Sequence, residues 1–166
     1  LWDMKGRIEN KPVVSLLGGE TGRLKIYGSS MKRDITPQAE ADRFKKLHDS
    51  LGINAFKYRI GAEFGRGEDE WRGRSEKIIR IINKNLDSNI NKLVDANSCF
   101  APRRAIELGH ILEDNEVTHY EEPCPYWEPE QTLEVTNDLK IDVAGGEQDC
   151  DLRVWKDMID RKIVNI

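Results

Sequence analysis

The sequence predicts an α/β fold: part of a closed (β/α)8 barrel, with an all-parallel sheet inside and helices outside. Short β-rich runs alternate with longer helical stretches in the order strand, helix, six times over, the pattern of right-handed βαβ units. The runs are too short for helices and are bounded by Gly, Asn or Pro. The turn after the first run, Gly28-Ser29-Ser30-Met31-Lys32, lacks the Gly-x-Gly-x-x-Gly spacing that an open doubly wound sheet places there. The barrel is therefore favoured over the open sheet.

The chain begins with Leu1 inside a helical stretch, Trp2 and Ile8 being apolar with no capping residue before them. Residues 1–20 are read as a lead-in helix from a capping domain, and residues 21–166 as the barrel. Strands are expected at Leu24 to Gly28, Ala55 to Gly61, Lys92 to Ala96, Thr118 to Glu122, Ile141 to Gly145 and Lys162 to Ile166. Thr36-Pro37 supplies a cap followed by proline at the first helical position; Phe44, Leu47 and Leu51 then share one face until Gly52 ends the helix. Ile78, Ile79, Ile81 and Ile82 form an apolar stripe after Ser75. Pro102 opens a helix with Ile106 and Leu112, Pro129 opens one with Leu133, and Asp151 caps one with Val154, Trp155 and Met158.

Composition bounds the function. The 166 residues correspond to about one domain. With 38% hydrophobic and 34% charged residues and a net charge of −4, the chain has material for a core and a mixed soluble surface. No bulk basic field exists for nucleic acid, and no apolar run is long enough for a membrane span. The start has neither the basic residues nor the apolar stretch of a signal peptide, so a cytoplasmic protein is expected. Cys99, Cys124 and Cys150 are widely spaced with no Cys-x-x-Cys, which points to free thiols rather than disulfides or a zinc site.

Three acids close three expected strands. Asp95 follows Lys92-Leu93-Val94, Glu121 follows Thr118-His119-Tyr120, and Glu147 follows Asp142-Val143-Ala144-Gly145-Gly146, with 26 residues in each step. One such acid alone is more often a helix cap or a solvated loop residue. Three in register on consecutive strands should meet on one rim of a parallel barrel, where their mutual repulsion calls for a hard divalent cation. An all-oxygen set suits Mg²⁺, with Mn²⁺ a weaker fit. On the second strand Lys57 and Arg59 share one face and Tyr58 the other. Inward cations there need partners, and the acids would provide them.

These residues resemble the mandelate racemase and muconate lactonizing branch of the enolase superfamily. Phe56-Lys57-Tyr58-Arg59-Ile60-Gly61 resembles that family's Lys-x-Lys motif, Val94-Asp95-Ala96-Asn97 its third-strand metal motif, Glu121-Glu122-Pro123 its fourth and Gly146-Glu147 its fifth. Leu1 to Gly6, Lys11 to Val13 and Leu16 to Gly19 resemble the segment leading into the barrel. The resemblance implies Mg²⁺ carried by Asp95, Glu121 and Glu147, and removal of the proton alpha to a substrate carboxylate through an enediolate. Where the family commonly has a lysine base, this chain has Arg59, which stays protonated and is better suited to clamping an oxygen anion. Lys57 serves as base only with a lowered pKa.

A racemase with a base on each face is therefore less favoured than an acid-sugar dehydratase, which needs one base and an acid for the leaving hydroxyl. Racemisation, epimerisation or cycloisomerisation through the same intermediate is the second reading, and a catalytically silent metal-binding scaffold the third. Asn97 is expected to meet substrate oxygens or to end a turn, and Glu122 to accept from Lys57 or Arg59. His48, His110 and His119 are read as structural. The loop from Ala62 to Arg74, with Trp71, is read as a lid or a charged surface insertion. A small carboxylate substrate and a homo-oligomer are the expected partners. Because a complete barrel takes roughly 250 residues, about six strands are expected here, with the capping domain and last strands lying outside the chain.

Overall fold

A computed structural model describes residues 1–64 and 67–166. Two short helices open the chain, α1 (Trp2–Glu9) and α2 (Val13–Leu16), followed by β1 (Gly28–Ser29), α3 (Pro37–Leu51), β2 (Ala55–Arg59) and α4 (Arg74–Asn85). The alternation continues through β3 (Asn91–Asp95), α5 (Pro102–Asp114), β4 (Val117–Glu121), α6 (Pro129–Asp138), β5 (Asp142–Ala144) and α7 (Leu152–Arg161). The strands pair in chain order, β1-β2-β3-β4-β5, and every pairing is parallel. This is the strand order of a barrel rather than of a doubly wound sheet, which would reverse at a switch point.

Local chemistry starts the helices where expected. Thr36 Oγ1 accepts from the Ala39 backbone N–H at 3.3 Å while Pro37 occupies the first turn, and Gly52 closes α3 in the left-handed region at φ 68°. Pro102 and Pro129 open α5 and α6 in the same way. Asp151 Oδ1 accepts from the Arg153 N–H at 2.8 Å at the start of α7. Of the isoleucine stripe of α4, Ile78, Ile79 and Ile82 are fully buried and Ile81 partly, each fully buried one contributing roughly 1.5–3 kcal/mol relative to exposure. Leu51 departs from its expected face and is exposed at the last position of α3.

Register decides the faces. Tyr58, Val94, Tyr120 and Val143 stand side by side across four strands and point into the helical layer, where all four are fully buried. One residue along, Arg59, Asp95, Glu121 and Ala144 form the next row on the opposite, inner face.

Two expected strands change. The first reduces to Gly28–Ser29, and Leu24 and Ile26 are exposed. β1 has β2 as its neighbour on one side only, and the ladder forms where Gly28 lets the Phe56 ring approach, its Cβ position lying 3.0 Å from Phe56 Cδ1. The sixth strand, Lys162 to Ile166, does not form among the described residues. Lys162 is spent as the left-handed C-cap of α7, and the side chain of Asn165 accepts the Val143 N–H at 2.9 Å where a strand would use its backbone. The segment nevertheless lies along β5, with Asn165 N–H donating to Val143 O at 2.8 Å and Gly145 N–H donating to Ile166 O at 3.3 Å. Five strands are thus built, with a sixth segment docked beside them.

Candidate active site

The C-terminal ends of parallel barrel strands carry the chemistry in this architecture, and here they carry a charged row. Arg59 and Asp95 are the last residues of β2 and β3 and face each other in register; Glu121, last in β4, is opposite Asp95. All three are buried. Arg59 Nη1 bonds Asp95 Oδ2 and reaches Asn97 Oδ1 at 2.7 Å. Lys57, one step back on the same face, bonds Glu121 Oε2 and lies 3.5 Å from Asp95 Oδ2. The expected grouping of both cations with two of the acids is present, and Tyr58 faces the helices.

The electrostatics of this row follow from its dryness. Burial, together with the adjacent Glu121 carboxylate, pushes the Asp95 carboxyl up, against the pull of Arg59, the Asn97 N–H and Lys57. Burial disfavours the Lys57 ammonium, but its hydrogen bond to Glu121 and the fields of Glu121 and Asp95 outweigh this and hold its pKa above the ordinary value. Lys57 is therefore an ion-pair partner here and not a neutral amine.

Glu147 is placed differently from the other two acids. β5 ends at Ala144, in the Arg59–Asp95–Glu121 row, so Glu147 falls three residues beyond it, after the Gly145-Gly146 turn with Gly146 at φ 96°. It is exposed and accepts from Gln148 Nε2 at 3.4 Å. The equal spacing in sequence does not translate into equal register, because β4 and β5 pair Glu121 with Ala144 and the row is filled before the chain reaches Glu147. Glu147 still lines the same cavity of about 300 Å³ as Glu121, together with Tyr27, His119 and Ile166. Among the described residues no three His, Cys, Asp or Glu side chains stand together as a ready metal cluster.

Two further expectations are corrected or refined. Glu122 does not serve Lys57 or Arg59: its backbone turns into the left-handed region at φ 43°, and its side chain accepts from Ser98 Oγ at 3.3 Å instead. Burial and the Glu147 and Asp95 charges push its carboxyl up to about 7. Asn97, itself at φ 44°, uses its Oδ1 on guanidinium groups, which leaves its amide NH₂ as the donor toward the rim. The Ala62–Arg74 loop is tied down at several points. Ala62 N–H donates to Glu68 O at 2.8 Å, Phe64 N–H to Asn97 O at 3.1 Å, and Gly67 N–H to Cys99 O at 2.9 Å. Gly65 and Arg66 of this loop lie outside the described residues. Trp71 is partly exposed under the Arg74 guanidinium, 5.1 Å from its ring centroid.

Three residues at this face escaped the sequence reading. Tyr27 lies under the Lys57 ammonium, 5.3 Å from ring centroid to Nζ. His119, read as structural, lines the Glu121 cavity, being on the inner row with Leu93. Arg33, four residues past β1, bonds Asn97 Oδ1. Strand alternation from Glu121 would have found His119. The other two sit on irregular segments without period. His48 Nδ1–H donates to Ile53 O at 2.9 Å, and His110 lies between Glu113 and Asp138. The three cysteines are free.

A parallel sheet in chain order, with carboxylates and cations in register at the C-terminal ends of its strands, is the architecture of an α/β barrel. The chain belongs to the enolase C-terminal domain-like family, whose model matches residues 39–166. It is 26% identical to an arabinonate dehydratase of Saccharolobus solfataricus, covering 89% of this chain and 38% of the relative. It is 29% identical to a D-galactarolactone cycloisomerase of Agrobacterium fabrum, again covering 89% and 38%. A solved structure from Roseobacter denitrificans, whose name proposes a racemase, is 55% identical with a TM-score of 0.93, covering 99% of this chain and 45% of that one. A mandelate racemase/muconate lactonizing protein from Paracoccus denitrificans, solved with magnesium, is 26% identical with a TM-score of 0.81, covering 96% and 43%. The chain spans less than half the length of these relatives. Among the described residues no helix is long and apolar enough to cross a membrane.

Proposed function

We propose that this chain forms part of the active site of a Mg²⁺-dependent acid-sugar dehydratase that removes the proton alpha to a substrate carboxylate. The observation that carries the reading is the inner row itself. Two buried carboxylates, Asp95 and Glu121, lie side by side at strand ends and raise each other's need for a cation, with Glu147 on the rim of the same cavity. This all-oxygen donor set fits a hard divalent ion, and Asp95, Glu121 and Glu147 are the residues that would hold it. When bound, Mg²⁺ supplies charge stabilisation for the substrate's developing enediolate.

The chain's own residues divide the remaining work. Lys57 Nζ lies on the inner face beside both carboxylates; held protonated by Glu121 here, it takes the alpha proton only in a state that frees it from that pair and lowers its pKa. Arg59 keeps its proton and, fixed by Asp95 and Asn97, offers a clamp for an oxygen anion. With one proton carrier on this face, dehydration needs only a second group for the leaving hydroxyl, whereas racemisation needs a matched base opposite. Racemisation remains the second reading because of the Roseobacter denitrificans relative's name.

The test is to incubate the full-length protein with Mg²⁺ and a library of aldonic and aldaric acids and to read 2-keto-acid formation. Keto-acid product that is lost on chelation and in Lys57→Met is expected. No product from any acid while magnesium still binds overturns the dehydratase. Alpha-deuterium exchange without keto acid supports the racemase instead.

A further inference from the structure

Among the described residues Arg33 has no close buried counter-charge at the candidate site, although Asp95 and Glu70 act on it from further off together with Glu63. It rises from the β1–α3 connection, its side chain only 14% exposed, to donate to Asn97 Oδ1. The same oxygen also receives Arg59 Nη1, at 2.7 Å. Two guanidinium groups thus converge on one neutral amide oxygen, beyond the ends of β1, β2 and β3. Their counter-charges differ. Arg59 is paired with buried Asp95, whereas Arg33 has Glu63 at 4.0 Å, whose side chain is 61% exposed. Such an exposed pair contributes little. Among the described residues the Nε atoms of both Arg33 and Arg59 are buried without a hydrogen-bond partner. Burial and the repulsion of Arg59 together lower the Arg33 pKa. A cation held this close to another, with a donor unspent, is a site for an anion.

The geometry points to Arg33 as a specificity residue that binds the distal carboxylate of a dicarboxylic acid-sugar substrate, while the proximal carboxylate meets the Asp95 and Glu121 end of the row. This inference rests on the acid-sugar reading above. A planar guanidinium whose Nη1 faces only an exposed carboxylate at 4.0 Å matches a substrate carboxylate as an alcohol cannot. A monoacid, uncharged at its far end, would leave the Arg33 guanidinium as weakly paired as it is now, which is the condition under which a site discriminates strongly.

The experiment compares aldaric acids with aldonic acids of matched stereochemistry, such as galactarate against galactonate, which differ only in a carboxylate or a hydroxymethyl at the far end. The full-length protein with Mg²⁺ is assayed for kcat/KM, and for binding by calorimetry, as wild type, Arg33→Met, Arg33→Lys and Lys32→Ala. For at least one pair the wild type should prefer the diacid, and Arg33→Met should reduce that preference about 10- to 100-fold, the equivalent of one charge-assisted hydrogen bond. Arg33→Lys keeps the charge and stem and covers the case in which the methionine variant does not fold; it should reduce the preference several-fold. Lys32→Ala, an exposed neighbour, should not change it.

No wild-type preference for any diacid overturns the inference, as does an equal loss on diacid and monoacid or an equal effect of Lys32→Ala. The two readings fail separately. Absence of turnover overturns the dehydratase, whereas a diacid binding preference that survives in Arg33→Met overturns the specificity assignment whether or not turnover is seen.

Discussion

The two faces of the same strands, one residue apart, are built by opposite rules. Tyr58, Val94, Tyr120 and Val143 form a row that meets helices and is fully buried. Its stability comes from apolar area and close packing, with Phe44 stacked on Phe56 at 4.5 Å nearby. The Arg59–Asp95–Glu121 row is nearly as buried, yet it is held by ion pairs whose desolvation offsets much of their attraction. A fold seeking stability alone would not place two carboxylates in register. The helix-facing row holds the sheet to its helices, and the inner row concentrates buried charge at the expense of stability.

The largest effect should come from writing the inner rule onto the helix-facing row. Val94→Asp puts an unpaired carboxylate between Tyr58 and Tyr120 and should destabilise by more than about 4 kcal/mol, enough to prevent folding in a urea titration followed by circular dichroism. A folded Val94→Asp variant with wild-type midpoint would break the distinction between the faces.

The intermediate effect belongs to the inner row and depends on metal. If Asp95, Glu121 and Glu147 hold Mg²⁺, adding it at about 100 times its Kd should stabilise the wild type by about 2.7 kcal/mol in a thermal melt. Glu121→Gln should abolish most of that increment while remaining folded without metal. An undiminished increment in Glu121→Gln would remove Glu121 from the ligand set.

The smallest effect lies on neither face. His110, on the outer surface of α5, is hydrogen-bonded to Glu113 and lies beside Asp138, and these raise its pKa above 6.5. The protonated, paired form therefore contributes stability below the unfolded value, and that contribution fades as pH rises through the folded one. The Tm difference between wild type and His110→Gln should be larger near about pH 5.5 than near about pH 9. A difference that grows with pH would contradict the pairing. Exposure keeps the effect small.

Much of the architecture was legible because it obeys local rules. Pro37, Pro102 and Pro129 open helices because a residue with fixed φ and no N–H fits the first turn regardless of what surrounds it. The Lys57-Tyr58-Arg59 alternation divided charges from core because successive side chains of any strand leave opposite faces. Glu147 falls past the row because sequence spacing counts residues while a site depends on ladder register, and β5 already meets Glu121 with Ala144. Arg33 and Tyr27 were missed because neither follows a period; each reaches the site from an irregular segment beside β1.

By itself, then, the sequence determined the order of elements, the parallel sheet, and the types of charge on the inner face, all of which depend on interactions within a turn or along a strand. Tertiary structure decided which charges meet. Glu147 falls past the row that Asp95 and Glu121 share, Glu122 turns to Ser98 through a left-handed backbone step, and Arg33 meets Arg59 across 26 residues of chain on one amide oxygen. These depend on distances between strands, which hydrogen-bond register fixes and no local pattern encodes.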